Sequence, residues 1–275
     1  VLRPLSYEAA LREVAATPDP FLLSWAEGTL RAALSQSPLF NARPYEIFAQ
    51  GSRVNGTALE LGSDIDLVLM LKAGTGGDWE AFRDEALAAL SMSYVVRQGR
   101  RCVNVDNPDS LFAEMVDILV VTEYHFGDEQ GVFFRDLQGR PIVNFPKRHR
   151  YNGDAKDLRT GGQFKRAVRS VKRLRRLAEQ ERVIALGAAP SYLLECLLYN
   201  VPDDLHCQSL DGALEWLTWC HREDPIAFSG LPCQNGINRL FGPGPDQWEP
   251  VAAGRMLDVL DQFRSDLNFS GGVSA

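Results

Sequence analysis

The chain has 275 residues, 45% of them hydrophobic and 24% charged, with a formal net charge of −7. That is enough apolar content for one or two lobes with cores of their own, and the acidic balance argues against a protein whose whole surface binds nucleic acid. No apolar window is long enough to span a bilayer, Val1-Leu-Arg-Pro-Leu5 lacks the apolar stretch of a secretion signal, and five cysteines in no regular framework point to a reducing cytoplasm.

Ser6 to about Ala16 reads as a helix, and Asp19-Pro20 starts a second one running to about Ser35. Strands are predicted near 43–50 and 64–71, a helix near 78–91, and further strands near 93–98, 100–106 and 114–123. Gly131-Val-Phe-Phe134 and Pro141-Ile-Val-Asn144 read as a short hairpin around Gly139. From Thr160 the pattern is helical, with helices near 160–182, 190–200, 207–222 and 246–268. The end, Phe269-Ser-Gly-Gly-Val-Ser-Ala275, is small-residue and expected to be flexible. The expected class is α+β: a mixed sheet with helices over residues 1–158, then a helical lobe over 159–275, with an active cleft between them.

The chemistry concentrates in Tyr45-Glu-Ile-Phe-Ala-Gln-Gly-Ser52 and, after a polar loop, Ser63-Asp-Ile-Asp-Leu-Val-Leu-Met-Leu71. Side chains alternate along a strand, so Asp64 and Asp66 are expected on one face. Burying two ionised carboxylates together costs several kcal/mol unless a cation joins them, and hard oxygen donors favour Mg2+ or Mn2+. Gly51 permits a tight turn, and the Ser52 hydroxyl with consecutive backbone N–H groups suits a phosphate. A third carboxylate is expected on a neighbouring strand. Asp106 and Asp109 sit in turn chemistry, Val105-Asp-Asn-Pro-Asp-Ser110, whereas Asp117 interrupts the apolar run Ala113-Glu-Met-Val-Asp-Ile-Leu-Val-Val121, which makes Asp117 the choice. Three such carboxylates can hold two ions, one activating an attacking hydroxyl and one steadying a nucleoside triphosphate.

Residues 147–182 carry thirteen Lys and Arg against four acids, leaving −16 for the rest of the chain. A basic segment in an acidic protein suits a small polyanion better than a long duplex. At helical spacing Phe164, Ala167, Val168, Val171, Leu174 and Ala178 share one arc, with Lys165, Arg169, Lys172 and Arg176 on the next. Lys172, at the arc's edge, is expected to reach from the wall into a groove. Asn152, Lys156 and Thr160 lie where the chain enters the helical lobe, and an asparagine can both donate to and accept from a base edge.

Gln50-Gly-Ser-Arg-Val-Asn-Gly-Thr57 with Ser63-Asp-Ile-Asp-Leu67 resembles the polymerase-beta-type nucleotidyltransferase signature. Asn144-Phe-Pro-Lys147, Tyr151-Asn-Gly153, Thr160-Gly-Gly-Gln-Phe-Lys165, Pro190-Ser-Tyr-Leu-Leu-Glu195 and Tyr199-Asn-Val-Pro202 resemble the bacterial cGAS/DncV-like nucleotidyltransferases, their CdnE-like branch above all. Arg53 departs from the aromatic residue that many relatives carry after Gly-Ser. The resemblance implies an early long helix spanning both lobes and an OAS-like helical lobe. It implies that Lys172 and Ser191 hold the triphosphate and that the nucleotide groove takes ATP, GTP, UTP or another triphosphate. It also implies closure of a cyclic di- or oligonucleotide in bacterial anti-phage (CBASS) signalling, with a separate nucleotide-activated effector and a C-terminal conjugation partner. The competing reading is a template-independent transferase acting on an RNA, protein or small-molecule acceptor.

Other patterns have plainer readings. Cys207, Cys220, His221, Cys233 and His206 lack the spacing of a compact zinc cluster. Trp216 and Trp219 are expected in a helix core, Glu195 in a structural role, and Arg148-His149-Arg150 in a surface loop.

Overall fold

The apolar run around Asp66 does become a strand, and the strands around it define one half of the molecule. The computed structural model describes residues 20–41, 43–59, 64–72, 78–99, 101–106, 116–208 and 210–272. The helix expected over Ser6–Ala16, the turn aspartate Asp109 and the last residues, 273–275, lie outside these. In chain order the elements are α1 (Pro20–Ser35), α2 (Pro38–Asn41), β1 (Tyr45–Gln50), α3 (Gly51–Asn55), β2 (Ile65–Leu71), α4 (Trp79–Leu90), β3 (Val95–Gln98), β4 (Val103–Asp106), β5 (Val116–Phe126), β6 (Glu129–Arg135) and β7 (Pro141–Asn144). They continue with α5 (Pro146–Arg159), α6 (Gln163–Gln180), α7 (Ser191–Tyr199), α8 (Asp203–Gln208), α9 (Leu210–Glu223), α10 (Pro225–Ser229) and α11 (Pro250–Gly272). Two compact units result: Thr17–Gly56 with Gly62–Arg148, and Thr57–Leu61 with the chain from His149 onward. The division falls inside α5, earlier than the boundary expected at 158, and a short segment after α3 belongs with the helices.

In the sheet unit seven strands form one mixed sheet of order β1-β2-β5-β4-β3, with β6 joined to β5 and β7 to β6. β2 and β5 run parallel, and the other pairs are antiparallel. Alternation splits the side chains cleanly. Ile47, Leu67, Leu69, Val103, Val105, Ile118 and Val120 face α1 and α4, meeting Ala26, Leu30, Leu34, Phe82, Ala86 and Leu90. Val68, Met70, Leu119 and Val121 pack on the opposite face with Val132, Phe134 and Ile142. α4 starts where Asp78 accepts a hydrogen bond from the Ala81 N–H at 2.7 Å, a side-chain cap that satisfies an otherwise orphaned donor.

In the helical unit Phe164, Ala167, Val168, Val171, Leu174 and Ala178 are buried on α6, the arc the spacing predicted. α6 packs with α7, α9 and α11 around Leu193, Leu197, Leu214, Leu217, Leu257 and Leu260. Four features depart from the sequence reading. Arg148-His149-Arg150 lies in α5, a helix whose buried residues are His149, Gly153 and Lys156; an i, i+4, i+7 face without apolar residues carries no hydrophobic signal. The helix expected over 207–222 is two helices, the first starting at Asp203, where Asp203 and Asp204 favour a helix N-terminus. α11 continues to Gly272, past the end expected at 268. Trp216 packs partly against the core, but Trp219 is 53% exposed. Among the described residues no helix is long and apolar enough to cross a membrane.

Ile118 is fully buried on β5, between β2 and β4. Ile118→Ala is expected to lower unfolding free energy by about 2–5 kcal/mol in urea titration. Val95→Ala on the exposed strand β3 should change it by under about 0.5 kcal/mol.

Candidate active site

β1 ends at Gln50 and the chain turns at once into α3. Gly51 makes that turn with φ +79°, a left-handed conformation that side chains rarely adopt. It also meets Asp66 closely: a Cβ at position 51 would lie 1.9 Å from Asp66 Oδ2 and 2.7 Å from Cγ. Glycine is therefore required twice, by the backbone and by the carboxylate beside it. Ser52 follows, partly exposed, and Gly56 ends α3 in a left-handed conformation.

The register of the sheet builds the rest. Asp66 stands opposite Gln50 on β1 and opposite Asp117 on β5; Asp117 stands opposite Asn104 on β4, and Asn104 opposite Arg97 on β3. One row across five strands thus holds both strand aspartates. Asn104 Nδ2 donates to Asp117 Oδ1 at 2.9 Å. Asp64 is exposed and lies one residue before β2, where strand alternation no longer fixes its direction. Burial first, and then the Asp64 charge, push the Asp117 carboxyl above its ordinary range, with the Asn104 bond pulling the other way. The Cys102 thiol registers the same field: burial, then Asp117 and Asp66, push it up to about 12.

Among the described residues no three histidine, cysteine or acidic side chains are gathered closely enough to hold a metal ion as they stand. The backbone pairs Asp66 with Asp117 and brings Asp64 within electrostatic reach of Asp117, but the three carboxylates do not close a coordination sphere. The donor set nonetheless fits a hard divalent cation. It is all carboxylate oxygen, and the Asp64 charge raises the proton affinity of Asp117, a cost that a cation removes.

Lys172, expected on the triphosphate, is occupied by the helical unit's own structure. Lys172 is 4% exposed; its Nζ donates to the Thr57 carbonyl at 2.9 Å and lies 3.5 Å from Glu195 Oε1. It does not extend from the edge of the α6 arc into open space. Glu195 also accepts from Thr57 Oγ1 at 2.7 Å, and its Oε2 is 3.2 Å from His149 Nε2. The His149 ring stacks on Tyr192, which stacks on Trp248. Burial raises the Glu195 carboxyl, yet His149, Lys172 and Thr57 together outweigh burial and hold it down at about 2. Lys172 moves below its ordinary value because burial outweighs its single carboxylate and Arg175 and Arg176 oppose its charge. Glu195 is thus the ionised centre of the cluster, and His149, expected in a loop, is one of its partners.

Ser191 is the first residue of α7, preceded by Pro190, and is partly exposed. Asn152 Nδ2 donates to the Gln234 carbonyl at 2.8 Å. Thr160 is buried; its Oγ1 donates to the Lys156 carbonyl at 2.9 Å and accepts from the Phe164 N–H at 3.1 Å, joining α5 to α6. Lys156 bonds Asp203 and the Val201 carbonyl. Of the residues weighed for zinc, His206 Nε2 bonds the Leu198 carbonyl, while Cys220 and Cys233 are buried in the helical core.

This fold and its acidic row can be compared with known proteins. Residues 151–264 match the family of the cGAS/DncV-like nucleotidyltransferase C-terminal helical domain. The cyclic UMP-AMP synthase of Rhodothermus marinus is 32% identical over 264 residues, spanning 86% of this chain and 89% of that protein. The chain belongs to the cGAS/DncV-like nucleotidyltransferases, in their CdnE-like branch. A second relative, the cyclic nucleotide synthase CdnE01 of Staphylococcus haemolyticus, is 26% identical over 83% of this chain and 88% of its own. The solved Rhodothermus marinus CdnE c-UMP-AMP synthase with Apcpp and Upnpp superposes with a TM-score of 0.76 at 26% identity, covering 100% of this chain and 99% of that one. As a member of this family, the protein is a nucleotidyltransferase.

Gly51→Ala is expected to displace the Asp66 carboxylate and reduce nucleotidyl transfer by about 100-fold, read as pyrophosphate release. For Glu195 the pH dependence has a definite sign. Its folded pKa, about 2, lies below the ordinary 4.5, so its stabilisation is complete above about pH 4.5 and is lost as pH falls toward about 2. The contribution is on the order of 3 kcal/mol. Glu195→Gln should flatten the fall of stability over that acid range and cost about 3–5 kcal/mol at neutral pH by leaving Lys172 unpaired, as measured by urea unfolding at stepped pH.

Proposed function

We propose that this CdnE-like nucleotidyltransferase condenses nucleoside triphosphates into a cyclic dinucleotide through Asp64, Asp66 and Asp117, using Mg2+ or Mn2+. The observation that carries the assignment of residues is the in-register placement of Asp66 beside Asp117, with Gly51 against Asp66. Bound divalent ions supply charge neutralisation on the triphosphate and lower the pKa of an attacking ribose hydroxyl. The chain's own part is positional. The three aspartates hold the ions, and the Gly51 turn and the Ser52 hydroxyl bind phosphate oxygens through donors fixed by the β1–α3 connection. A ribose hydroxyl then attacks an α-phosphate, the bond to the leaving oxygen breaks, and pyrophosphate departs. In a second round the free hydroxyl of the linear intermediate attacks the α-phosphate of its own triphosphate end, closing the ring and releasing a second pyrophosphate.

Ser191 contributes a hydroxyl to nucleotide binding, as the family resemblance implies. Lys172 is assigned a different part from the one expected: it holds Thr57 and Glu195 in the helical unit. Because the Rhodothermus marinus relative is named for a UMP-AMP product, ATP with UTP is the first pair to test. The biological setting is bacterial anti-phage signalling, in which the product activates a separate effector protein.

The test is incubation of the purified chain with labelled ATP, UTP, GTP and CTP and Mg2+ or Mn2+. Small phosphatase-resistant products support the synthase; label appearing only after an RNA or protein acceptor is added overturns it. The double variant Asp64→Asn, Asp66→Asn is expected to lose pyrophosphate release by at least about 100-fold. Asp117→Asn should lower kcat by a similar factor while leaving most nucleotide binding in place, as measured by equilibrium binding of a non-hydrolysable analogue.

A further inference from the structure

Asn104 stands directly beside Asp117 in the acidic row, and no role has yet been given to it. It is exposed, so the fold does not depend on burying it. Two independent features fix it in place. Its Nδ2 donates to Asp117 Oδ1 at 2.9 Å, from the position directly opposite on β4. On its other flank it fills the space beside Gly99, where a Cβ would lie 2.3 Å from Asn104 Oδ1. The Gly99 N–H donates to the Cys102 carbonyl at 2.8 Å, closing the turn between β3 and β4, so the wall that seats the amide is itself fixed.

The chemistry of this pairing is specific. An ionised carboxylate only accepts, and its direction is set by whichever donor claims one of its oxygens. A neutral amide can orient Asp117 without neutralising it; a lysine or arginine at 104 would compete with the cation that the aspartates are to hold. Partners of this kind, one step removed from an ion, typically change metal affinity or activity by about 10- to 100-fold when lost.

We infer that Asn104 is a positioning residue for nucleotidyl transfer: lodged beside Gly99, it holds Asp117 in the orientation in which that carboxylate serves the divalent ion. The inference rests on the assignment of Asp117 as a metal carboxylate. Asn104→Ala, Asn104→Leu and Asp117→Asn are compared in the full chain by titration with Mn2+ alone, following free Mn2+ by electron paramagnetic resonance, together with kcat, KM for ATP and the thermal midpoint. Both Asn104 variants are expected to weaken Mn2+ binding about 10-fold and to lower kcat by a similar factor, with KM and the thermal midpoint near wild type. Gly99→Ala, which pushes the same amide aside, should reproduce the loss. Wild-type Mn2+ affinity and kcat in Asn104→Ala, while Asp117→Asn has lost both, would overturn the positioning role and leave the carboxylate assignment standing. Retention of both by Asp117→Asn would remove the assignment on which it rests.

Discussion

The parallel pairing of β2 with β5 sets two carboxylates directly opposite each other, and the catalytic role proposed for them depends on that register. Side-chain alternation is strict in a ladder, so a shift of one residue in either strand would send one aspartate to the face that packs on α1 and α4. The apolar residues flanking Asp66 and Asp117 prevent the shift. Leu67, Leu69, Ile118 and Val120 are buried on one face, and Val68, Met70, Leu119 and Val121 on the other. Burial on both faces fixes the register, and the register in turn sets Asp66 opposite Asp117, whose proton affinity burial and the Asp64 charge raise.

Much of this was legible in the residues. The apolar run after Asp64 and the one containing Asp117 read as strands by composition, and a charged residue inside such a run calls for a reason that outweighs its cost. Gly51 was legible as a turn, though its close approach to Asp66 was not, because that distance depends on the antiparallel β1–β2 pairing. Asn104 was missed for the same kind of reason. Alternation in Val103-Asn-Val-Asp106 places it away from Val103 and Val105, but nothing local says that Asp117 lies across from it. Lys172 shows a different limit of the sequence. Its place at the edge of the apolar arc was read as reach toward a ligand, when a buried partner, Glu195, was already in the next helix. A short polar face, as on α5, and a cluster assembled from Thr57, His149, Lys172 and Glu195 leave no periodic trace.

The helical unit owes its stability to two unlike kinds of packing. Its leucine-rich interior is ordinary hydrophobic burial, tolerant of volume-conserving exchange. The cluster around Glu195 has no such tolerance, since each donor there satisfies a charge that water cannot reach. Aromatic stacking of His149 on Tyr192, and of Tyr192 on Trp248, ties the charged cluster to the apolar one.

The assignment of Thr57–Leu61 to the helical unit bears on how the protein can be cut or recombined. The chain leaves the sheet unit after Gly56, returns at Gly62 and leaves again after Arg148, so no single scission yields two whole pieces. A fragment beginning at His149 retains Lys172 and Glu195 but has lost the Thr57 carbonyl that accepts from Lys172 and the Thr57 hydroxyl that donates to Glu195. Chimaeras that graft this helical half onto another member of the family must therefore carry the short internal stretch along with it, or supply a compatible threonine from the recipient.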